Sequence, residues 1–396
     1  NLKLLRETEG KAECNLFKAI GLEYIFIKDG NNLEELIETL KKVKDINHPI
    51  VVHIYTQKGK GYKLAEEDKE SWHYTMPFNI ENGKPLNEDI EDYCDITKEY
   101  LIKKMKEDKT VVTITAGTPG DFGFSKKERD ELGSQFVDVG IAEQTAVAMS
   151  SGMASKGAKP VFTVVSSFIQ RTYDQLSQDL CINNNPATIV VSYGGAIGMT
   201  DVTHLGWFDI AMMSNIPNLV YLAPTTKEEH LAMLEWSIGQ QEHPVAIRIP
   251  EGKVVSNGKK VTKDFSKLNT YEVNQKGEKV AIIGLGTFYQ LGEKAAKLYE
   301  EKIGVKVTVI NPMYITGVDE KLLEELKKDH SIVITLEDGV LDGGFGEKIA
   351  RFYGNSDMKV LNYGLKKEFL DRYNIGKVLT KNRLKADLIV EDLLKF

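Results

Sequence analysis

Cysteine is scarce in this sequence: three of the 396 residues are cysteine, scattered as Cys14, Cys94 and Cys181. No CxxC pair occurs, so the sequence indicates neither a disulfide framework nor a thiolate zinc site. Apolar runs all fall short of the roughly 18 residues that a membrane span requires. We therefore expect a protein of a reducing, cytoplasmic compartment that has no membrane partner.

An excess of basic residues is also lacking. Lysine and arginine number 51 against 58 aspartate and glutamate residues, which gives a formal net charge of −7. This balance does not favour binding to nucleic acid through charge. A chain of this length is predicted to form two or three domains.

Helical and strand patterns alternate along most of the chain. A helix is predicted over 32–44 and a buried strand over 49–55, and strands and helices then alternate from residue 90 to residue 249. One of the predicted helices covers 167–182. Such alternation is typical of an α/β fold with doubly wound parallel sheets. Polar, turn-rich segments divide the chain into predicted domains over 1–87, 88–255 and 268–396.

Four motifs follow one another at a specific spacing: KGKGY ending at Tyr62, IAEQ with Glu143, SSFIQRTYDQ with Phe168, and THLG with His204. Together they resemble the thiamine-diphosphate enzymes of the transketolase superfamily, and most closely its 1-deoxy-D-xylulose-5-phosphate synthase family. The resemblance covers essentially the whole chain. It implies a pyrimidine-binding domain and a C-terminal transketolase domain, preceded by the end of a diphosphate-binding domain.

The resemblance implies roles for these four residues and for His73. Glu143 is the expected carboxylate that hydrogen-bonds the aminopyrimidine ring of thiamine diphosphate and favours its imino tautomer. Phe168 is expected to stack on that ring, and Tyr62 to contact the cofactor. His204 and His73 are expected as active-site histidines, because imidazole can hold or move protons at neutral pH.

Two arginines match positions that the synthase family keeps near its active site. Arg171 and Arg248 are expected to bind substrate, since a planar guanidinium suits a phosphate or carboxylate. Arg248 is the expected phosphate contact. Arg171 has an alternative, which is to stabilise its own helix through Asp174.

Several positions depart from the synthase pattern. Thr145 stands where the family carries histidine, Tyr193 where it carries a phosphate-binding arginine, and Glu251 where it carries the second arginine of an RYPRG motif. Losing arginines and gaining a carboxylate weakens phosphate binding. We therefore expect an acceptor that need not be glyceraldehyde 3-phosphate.

The GDG motif with which the superfamily holds Mg²⁺ and the diphosphate is absent from the 396 residues. The resemblance therefore implies that the Mg²⁺ ligands lie in an N-terminal part of the protein outside this chain, with no metal ligands here. That part is an expected partner. Alone, the chain is expected to bind thiamine diphosphate poorly and to be inactive.

The expected activity is decarboxylation of a 2-oxoacid donor, pyruvate, and transfer of the two-carbon unit to an aldehyde acceptor, by a homodimer. A transketolase and the β subunit of a 2-oxoacid dehydrogenase are alternatives within the superfamily. An alternative of another class is a non-catalytic assembly or regulatory subunit.

Overall fold

The computed structural model describes residues 1–86 and 90–396. The chain divides into two compact units, Asn1–Asp89 and Ile90–Phe396. The predicted start of the second domain at residue 88 lies outside the described residues. Among those described, no helix is long and apolar enough to cross a membrane.

The first unit is a small α/β arrangement. Its two strands pair in parallel, with Glu23 opposite Ile50 and Ile27 opposite Ile54. The predicted helix after the first strand is present, and the Asn32 side chain caps it by accepting from the N–H groups of Glu34 and Glu35. The elements are α1 Leu2–Glu7, α2 Leu16–Ala19, β1 Glu23–Ile27, α3 Leu33–Val43, β2 Ile50–Ile54 and α4 Lys63–Glu67.

The second unit begins with a six-stranded sheet in the order β4-β3-β5-β6-β8-β7. All its pairings are parallel, and helices connect the strands, so the predicted doubly wound arrangement is confirmed. The elements are α5 Tyr93–Glu107, β3 Val111–Thr115, α6 Lys126–Leu132, β4 Phe136–Asp138, α7 Glu143–Ala154, β5 Lys159–Val165, α8 Ser166–Ile169, β6 Thr188–Ser192, α9 Asp209–Met213, β7 Val220–Leu222, α10 Lys227–Gly239 and β8 Val245–Arg248.

The continuous helix predicted over 167–182 was wrong. The chain instead forms the short helix α8, a 3₁₀ turn over Gln170–Thr172 and a π-helix over Gln175–Cys181. Leu176 and Leu180 are buried as the apolar spacing predicts. The spacing identified the buried face, but it does not distinguish among helical hydrogen-bond patterns.

A second sheet of the same unit has five strands in the order β13-β12-β10-β11-β9. The edge strand β9 is antiparallel to β11, which the predicted all-parallel arrangement did not include. The elements are β9 Glu272–Gln275, β10 Lys279–Gly284, α11 Tyr289–Ile303, β11 Thr308–Asn311, α12 Glu320–Leu326, β12 His330–Val340, α13 Phe345–Tyr353, β13 Lys359–Leu365, α14 Ile375–Lys381 and α15 Ala386–Leu393.

The two sheets of the second unit are joined directly. Ala223 N–H donates to the Met313 carbonyl at 2.8 Å, and Ile315 N–H donates to the Tyr221 carbonyl at 2.7 Å. Apolar residues from both sheets form one buried cluster that includes Tyr221 and Ile283. Backbone pairing and a shared core therefore fix the position of the second sheet against the first.

Candidate active site

The candidate site lies at the edge of the six-stranded sheet that is formed by the carboxyl ends of its strands. Because the strands are parallel, their carboxyl ends share this edge, where ligands of open α/β sheets usually bind. The loops that follow β3, β4, β5, β6 and β8 all begin here. Glu143, Phe168 and His204 each stand on one of these loops or at its junction with a helix.

Asp138, the last residue of β4, positions the turn that leads to Glu143. Its Oδ1 atom accepts from Gly117 N–H at 2.8 Å and from Gly140 N–H at 2.9 Å. Both glycines have positive φ, +77° and +70°, which other residues rarely adopt. The carboxylate thereby ties the loop after β3 to the turn before α7.

Glu143 is the first residue of α7 and is only 3% exposed. Its Oε2 atom is buried without a hydrogen-bond partner in the described part of the chain. Nη1 of Arg171 lies 3.6 Å from that atom, within ion-pair range but beyond a hydrogen bond. A buried carboxylate oxygen with no donor is costly, so this atom is available to bind a ligand.

Two other buried polar atoms at this edge of the sheet also lack a hydrogen-bond partner among the described residues. Thr115 Oγ1, at the end of β3, and Ser167 Oγ, just after β5, are buried and have no partner. With Glu143 following β4, the three orphaned groups stand at the carboxyl ends of three adjacent strands. Most buried polar groups are satisfied, so three unsatisfied groups at neighbouring strand ends are typical of a binding site.

Phe168 and His204 meet at this edge. Their rings are 5.4 Å apart between centroids in an edge-to-face arrangement, and both side chains are half-buried. His204 Nδ1 is 2.8 Å from Thr203 Oγ1. The pair combines a flat apolar surface with a partly accessible imidazole.

Arg248, the predicted phosphate contact, is held by two carboxylates. Its side chain is buried, with Nε donating to Asp209 Oδ2 at 2.7 Å and Nη1 donating to Asp338 Oδ1 at 2.5 Å. Burial disfavours its charge, but the two carboxylates hold the pKa of Arg248 above its ordinary value. An arginine committed to two buried carboxylates is poorly placed to bind a substrate phosphate, and its contact with substrate stays a prediction.

The carboxylates of Glu251 and Asp121 lie near the loop after β6. Burial and the Asp92 carboxylate raise the pKa of Glu251, and its Oε2 atom has no hydrogen-bond partner among the described residues. Burial also raises the pKa of Asp121, which the Thr118 hydroxyl and His204 lower. This part of the site is therefore acidic.

Three family models match the chain. They are "Transketolase, pyrimidine binding domain" over residues 92–256, "Transketolase, C-terminal domain" over 269–387 and "1-deoxy-D-xylulose-5-phosphate synthase" over 3–56. The chain belongs to the transketolase superfamily. The predicted resemblance to its 1-deoxy-D-xylulose-5-phosphate synthase family is confirmed as well.

Curated relatives of the superfamily cover nearly the whole chain. The 1-deoxy-D-xylulose-5-phosphate synthase of Clostridium perfringens strain SM101 is 36% identical over 383 residues, which is 96% of this chain and 61% of the relative. The enzyme of the same name from Halothermothrix orenii is 36% identical over 96% of this chain and 60% of its own length. The chain thus spans about three fifths of these relatives.

Solved structures of the superfamily share the fold. A chain described as a split gene transketolase, inactive beta4 tetramer, is similar with a TM-score of 0.65 and 21% identity, covering 76% of this chain and 96% of that one. A Pichia stipitis transketolase complex with sedoheptulose 7-phosphate gives a TM-score of 0.63 at 16% identity over 91% of this chain and 52% of that one. At these identities the likeness shows the transketolase fold.

The predicted site residues before the pyrimidine-binding domain lie in the first unit. Tyr62 is half-buried, packs edge-to-face on Trp72 with centroids 5.0 Å apart, and donates its hydroxyl to the Ile80 carbonyl at 3.0 Å. His73 is exposed and contacts Lys58. Their assignment to the active site stays a prediction.

Metal ligands are not clustered in the described part of the chain, where no group of three or more His, Cys, Asp or Glu side chains could hold an ion.

The sequence analysis did not identify the roles of Asp138, Asp209 and Asp338. An aspartate before Val-Gly at a strand end was the available signal for Asp138. Nothing in the sequence links Arg248 with Asp338, which is 90 residues away.

Proposed function

We propose that this chain carries the pyrimidine-binding part of a thiamine-diphosphate-dependent enzyme that transfers a two-carbon unit, in the manner of 1-deoxy-D-xylulose-5-phosphate synthase. The observation that carries the proposal is the buried Oε2 atom of Glu143 at the start of α7, which has no hydrogen-bond partner among the described residues. The curated relatives with this activity support it.

The residues present fit the aminopyrimidine half of the cofactor. Thiamine diphosphate, when bound, supplies the carbon nucleophile that amino-acid side chains lack. Glu143 would share a hydrogen bond with a ring nitrogen, which would satisfy its orphaned oxygen. Phe168 would offer a flat apolar surface to the ring, and His204 would hold or move a proton near the substrate.

The diphosphate and Mg²⁺ are proposed to bind elsewhere. A hard cation needs several oxygen ligands, and the described residues hold no acidic cluster for one. We propose that a diphosphate-binding part outside these 396 residues completes the site, and that a homodimer forms, as in the superfamily. The similar split gene transketolase is an inactive tetramer, which supports the proposal that the present chain is inactive alone.

The proposed donor is a 2-oxoacid, with pyruvate first, and the acceptor is an aldehyde. Arg171 remains the proposed contact for a substrate anion, because its side chain is 51% exposed and borders Glu143. Arg248 is held by Asp209 and Asp338 instead. Glyceraldehyde 3-phosphate is therefore the acceptor to test against its unphosphorylated counterpart.

A non-catalytic assembly or regulatory subunit is the second candidate. Thr145 favours it, since this exposed position in α7 offers no titratable group where the synthase family carries histidine. The buried Glu143 opposes it, because burying a carboxylate oxygen that has no hydrogen-bond donor among the described residues costs free energy unless a ligand binds there.

The test is calorimetric titration of thiamine diphosphate and Mg²⁺ into the chain, with and without the diphosphate-binding part. We expect binding when both parts are present and its loss in Glu143→Ala, whereas Glu131→Ala, at an exposed glutamate of α6, should bind as wild type does. Unchanged binding and turnover in Glu143→Ala would overturn the proposal. Binding to neither preparation would favour the non-catalytic subunit, and a monomer in light scattering would contradict the proposed dimer.

A further inference from the structure

The loop over 193–206 carries His204 near its end and rests on the buried Arg248–Asp338 ion pair. A Cβ atom added to Gly194 would lie 2.8 Å from Cγ and 2.9 Å from Nε of Arg248. One added to Gly195, whose φ is +113°, would overlap Asp338 Oδ2. Two consecutive glycines thus allow the backbone to lie directly on the ion pair.

The Gly206 carbonyl oxygen accepts three hydrogen bonds that hold the end of this loop in place. It accepts from Gly195 N–H at 2.7 Å, from Ser166 Oγ at 3.1 Å and from Arg248 Nη2 at 3.5 Å. Ser166 opens α8, the helix that carries Phe168. One carbonyl therefore joins the His204 loop, the Phe168 helix and the buried arginine.

Asp338 comes from β12, in the other sheet of the unit. Its Oδ2 atom accepts from Thr287 Oγ1 at 3.0 Å, and two residues later Val340 N–H donates to the Trp207 carbonyl at 2.9 Å. The C-terminal domain thus makes two contacts next to the Gly206 carbonyl. One is with Arg248, which donates to that carbonyl, and the other is with Trp207, which follows Gly206 in the sequence. Asp209 holds the other edge of the guanidinium, so Arg248 cannot turn without breaking a buried pair.

We propose that Arg248 and Asp338 are positioning residues for the proposed reaction: acting through Gly195 and the Gly206 carbonyl, they fix the imidazole of His204 against Phe168. The inference rests on the proposed function for its catalytic consequence, but the geometric claim concerns the chain itself. It gives the C-terminal domain a part in the site without any contact with substrate.

Two substitutions disturb this support in different ways. Asp338→Asn keeps the side-chain shape but removes the charge, while Arg248 stays paired with Asp209, so the fold should be retained. Gly195→Ala drives a methyl group into Asp338. The matched control is Gly304→Ala: Gly304 has positive φ, +74°, but no heavy atom of the described residues lies within 4 Å of the added Cβ.

The first measurement is the imidazole NMR signal of His204 in histidine-labelled protein, assigned by its loss in His204→Gln. We expect the signal to shift in Asp338→Asn and in Gly195→Ala and to stay in place in Gly304→Ala. An unshifted signal in both test variants, with folded spectra, would overturn the proposal.

The second measurement is turnover of the enzyme assembled with its diphosphate-binding part. We expect kcat to fall on the order of ten- to hundredfold in Asp338→Asn and Gly195→Ala, as for a misplaced catalytic group, with cofactor affinity and the KM of the donor little changed. Loss confined to cofactor affinity would contradict positioning of His204. Absence of turnover in the wild type would contradict the proposed function alone, since the NMR signal still decides the positioning claim.

Discussion

Nη1 of Arg171 lies 3.6 Å from Oε2 of Glu143, in a pair whose side chains are 51% and 4% exposed. The arginine therefore reaches the carboxylate from the solvent side, and its charge is screened by water. The buried carboxylate has no other partner for that oxygen among the described residues. The two members of the pair should thus contribute very unequally to cofactor binding.

We expect Glu143→Gln to weaken thiamine diphosphate binding by about ten- to a hundredfold, because it replaces a charge-assisted hydrogen bond with a neutral amide. Arg171→Gln should weaken binding less than about fivefold, as an exposed ion pair contributes under about 1 kcal/mol. Calorimetric titration of the assembled enzyme compares the two variants. Equal losses in both would show that the arginine contacts the cofactor itself.

His204 should matter for turnover rather than for cofactor affinity. Its imidazole touches Phe168 edge-on and is partly accessible, which suits a group that exchanges protons with substrate. We expect His204→Asn to lower kcat by roughly 10²- to 10⁴-fold while the Kd for thiamine diphosphate stays within threefold. A variant that loses cofactor binding in parallel with kcat would instead assign the ring to the cofactor pocket.

The alternation of strands and helices was predictable because parallel strands are buried on both faces, so apolar residues follow one another without alternation, as Ile189, Val190 and Val191 do in the fully buried strand Thr188–Ser192. Glu143 and Phe168 were identified by motif and prove to stand at the same sheet edge. The role of Arg248 was not predictable, since Asp338 belongs to another sheet and only tertiary packing brings the two together. The apolar spacing over 167–182 also fits the 3₁₀ and π turns found there.

The carboxylates near the loop after β6 predict whether the enzyme prefers a phosphorylated or an unphosphorylated aldehyde as acceptor. Glu251 is partly buried, burial raises its pKa, and its Oε2 atom has no hydrogen-bond partner in the described structure. A phosphate dianion near this group would meet repulsion and find Arg248 already paired. We expect wild-type enzyme to favour glyceraldehyde over glyceraldehyde 3-phosphate in kcat/KM.

Glu251→Arg should raise the phosphorylated-to-unphosphorylated ratio of kcat/KM by about ten- to a hundredfold, because it replaces repulsion with a charged hydrogen-bond donor. Glu251→Gln is the matched control, and it should raise the ratio less. A ratio that is the same in all three proteins would place the acceptor away from Glu251.

Arg248 should be a large contributor to folding stability. Removing it leaves Asp209 and Asp338 buried without their cation, which typically costs about 3–5 kcal/mol. We expect Arg248→Met to lower the free energy of unfolding by that amount in urea titration. Asp338→Asn added to Arg248→Met should recover part of the loss, since it removes one of the two uncompensated charges. A loss under about 1 kcal/mol in the single variant would show that water reaches the carboxylates.

The buried carboxyl group of Glu337 should make the free energy of unfolding depend on pH. It is buried and accepts hydrogen bonds from Phe345 N–H at 2.8 Å and Gly346 N–H at 2.7 Å, at the start of α13. Burial raises the pKa of Glu337 to about 7, against the opposite effects of these N–H groups and of Lys348. An unfolded glutamate ionises near pH ~4.3, so between about pH 4.3 and 7 the folded state binds more protons.

The contribution of this group to the free energy of unfolding is therefore fully present below about pH 4.3 and is lost as the pH rises through 7, by about 4 kcal/mol in all. Burial lowers the pKa of Lys348 to about 8, so this residue acts over a separate pH range. Above pH 8 the unfolded state binds more protons, and the contribution of Lys348 to the free energy of unfolding rises with pH.

We expect the free energy of unfolding to fall less between pH 5 and 7.5 in Glu337→Gln than in wild type. Glu347→Gln, at an exposed residue of the same helix, should keep the wild-type slope. Identical slopes in wild type and Glu337→Gln would mean that the carboxyl group is already ionised at pH 5 in the folded protein, with the two N–H groups of α13 outweighing burial.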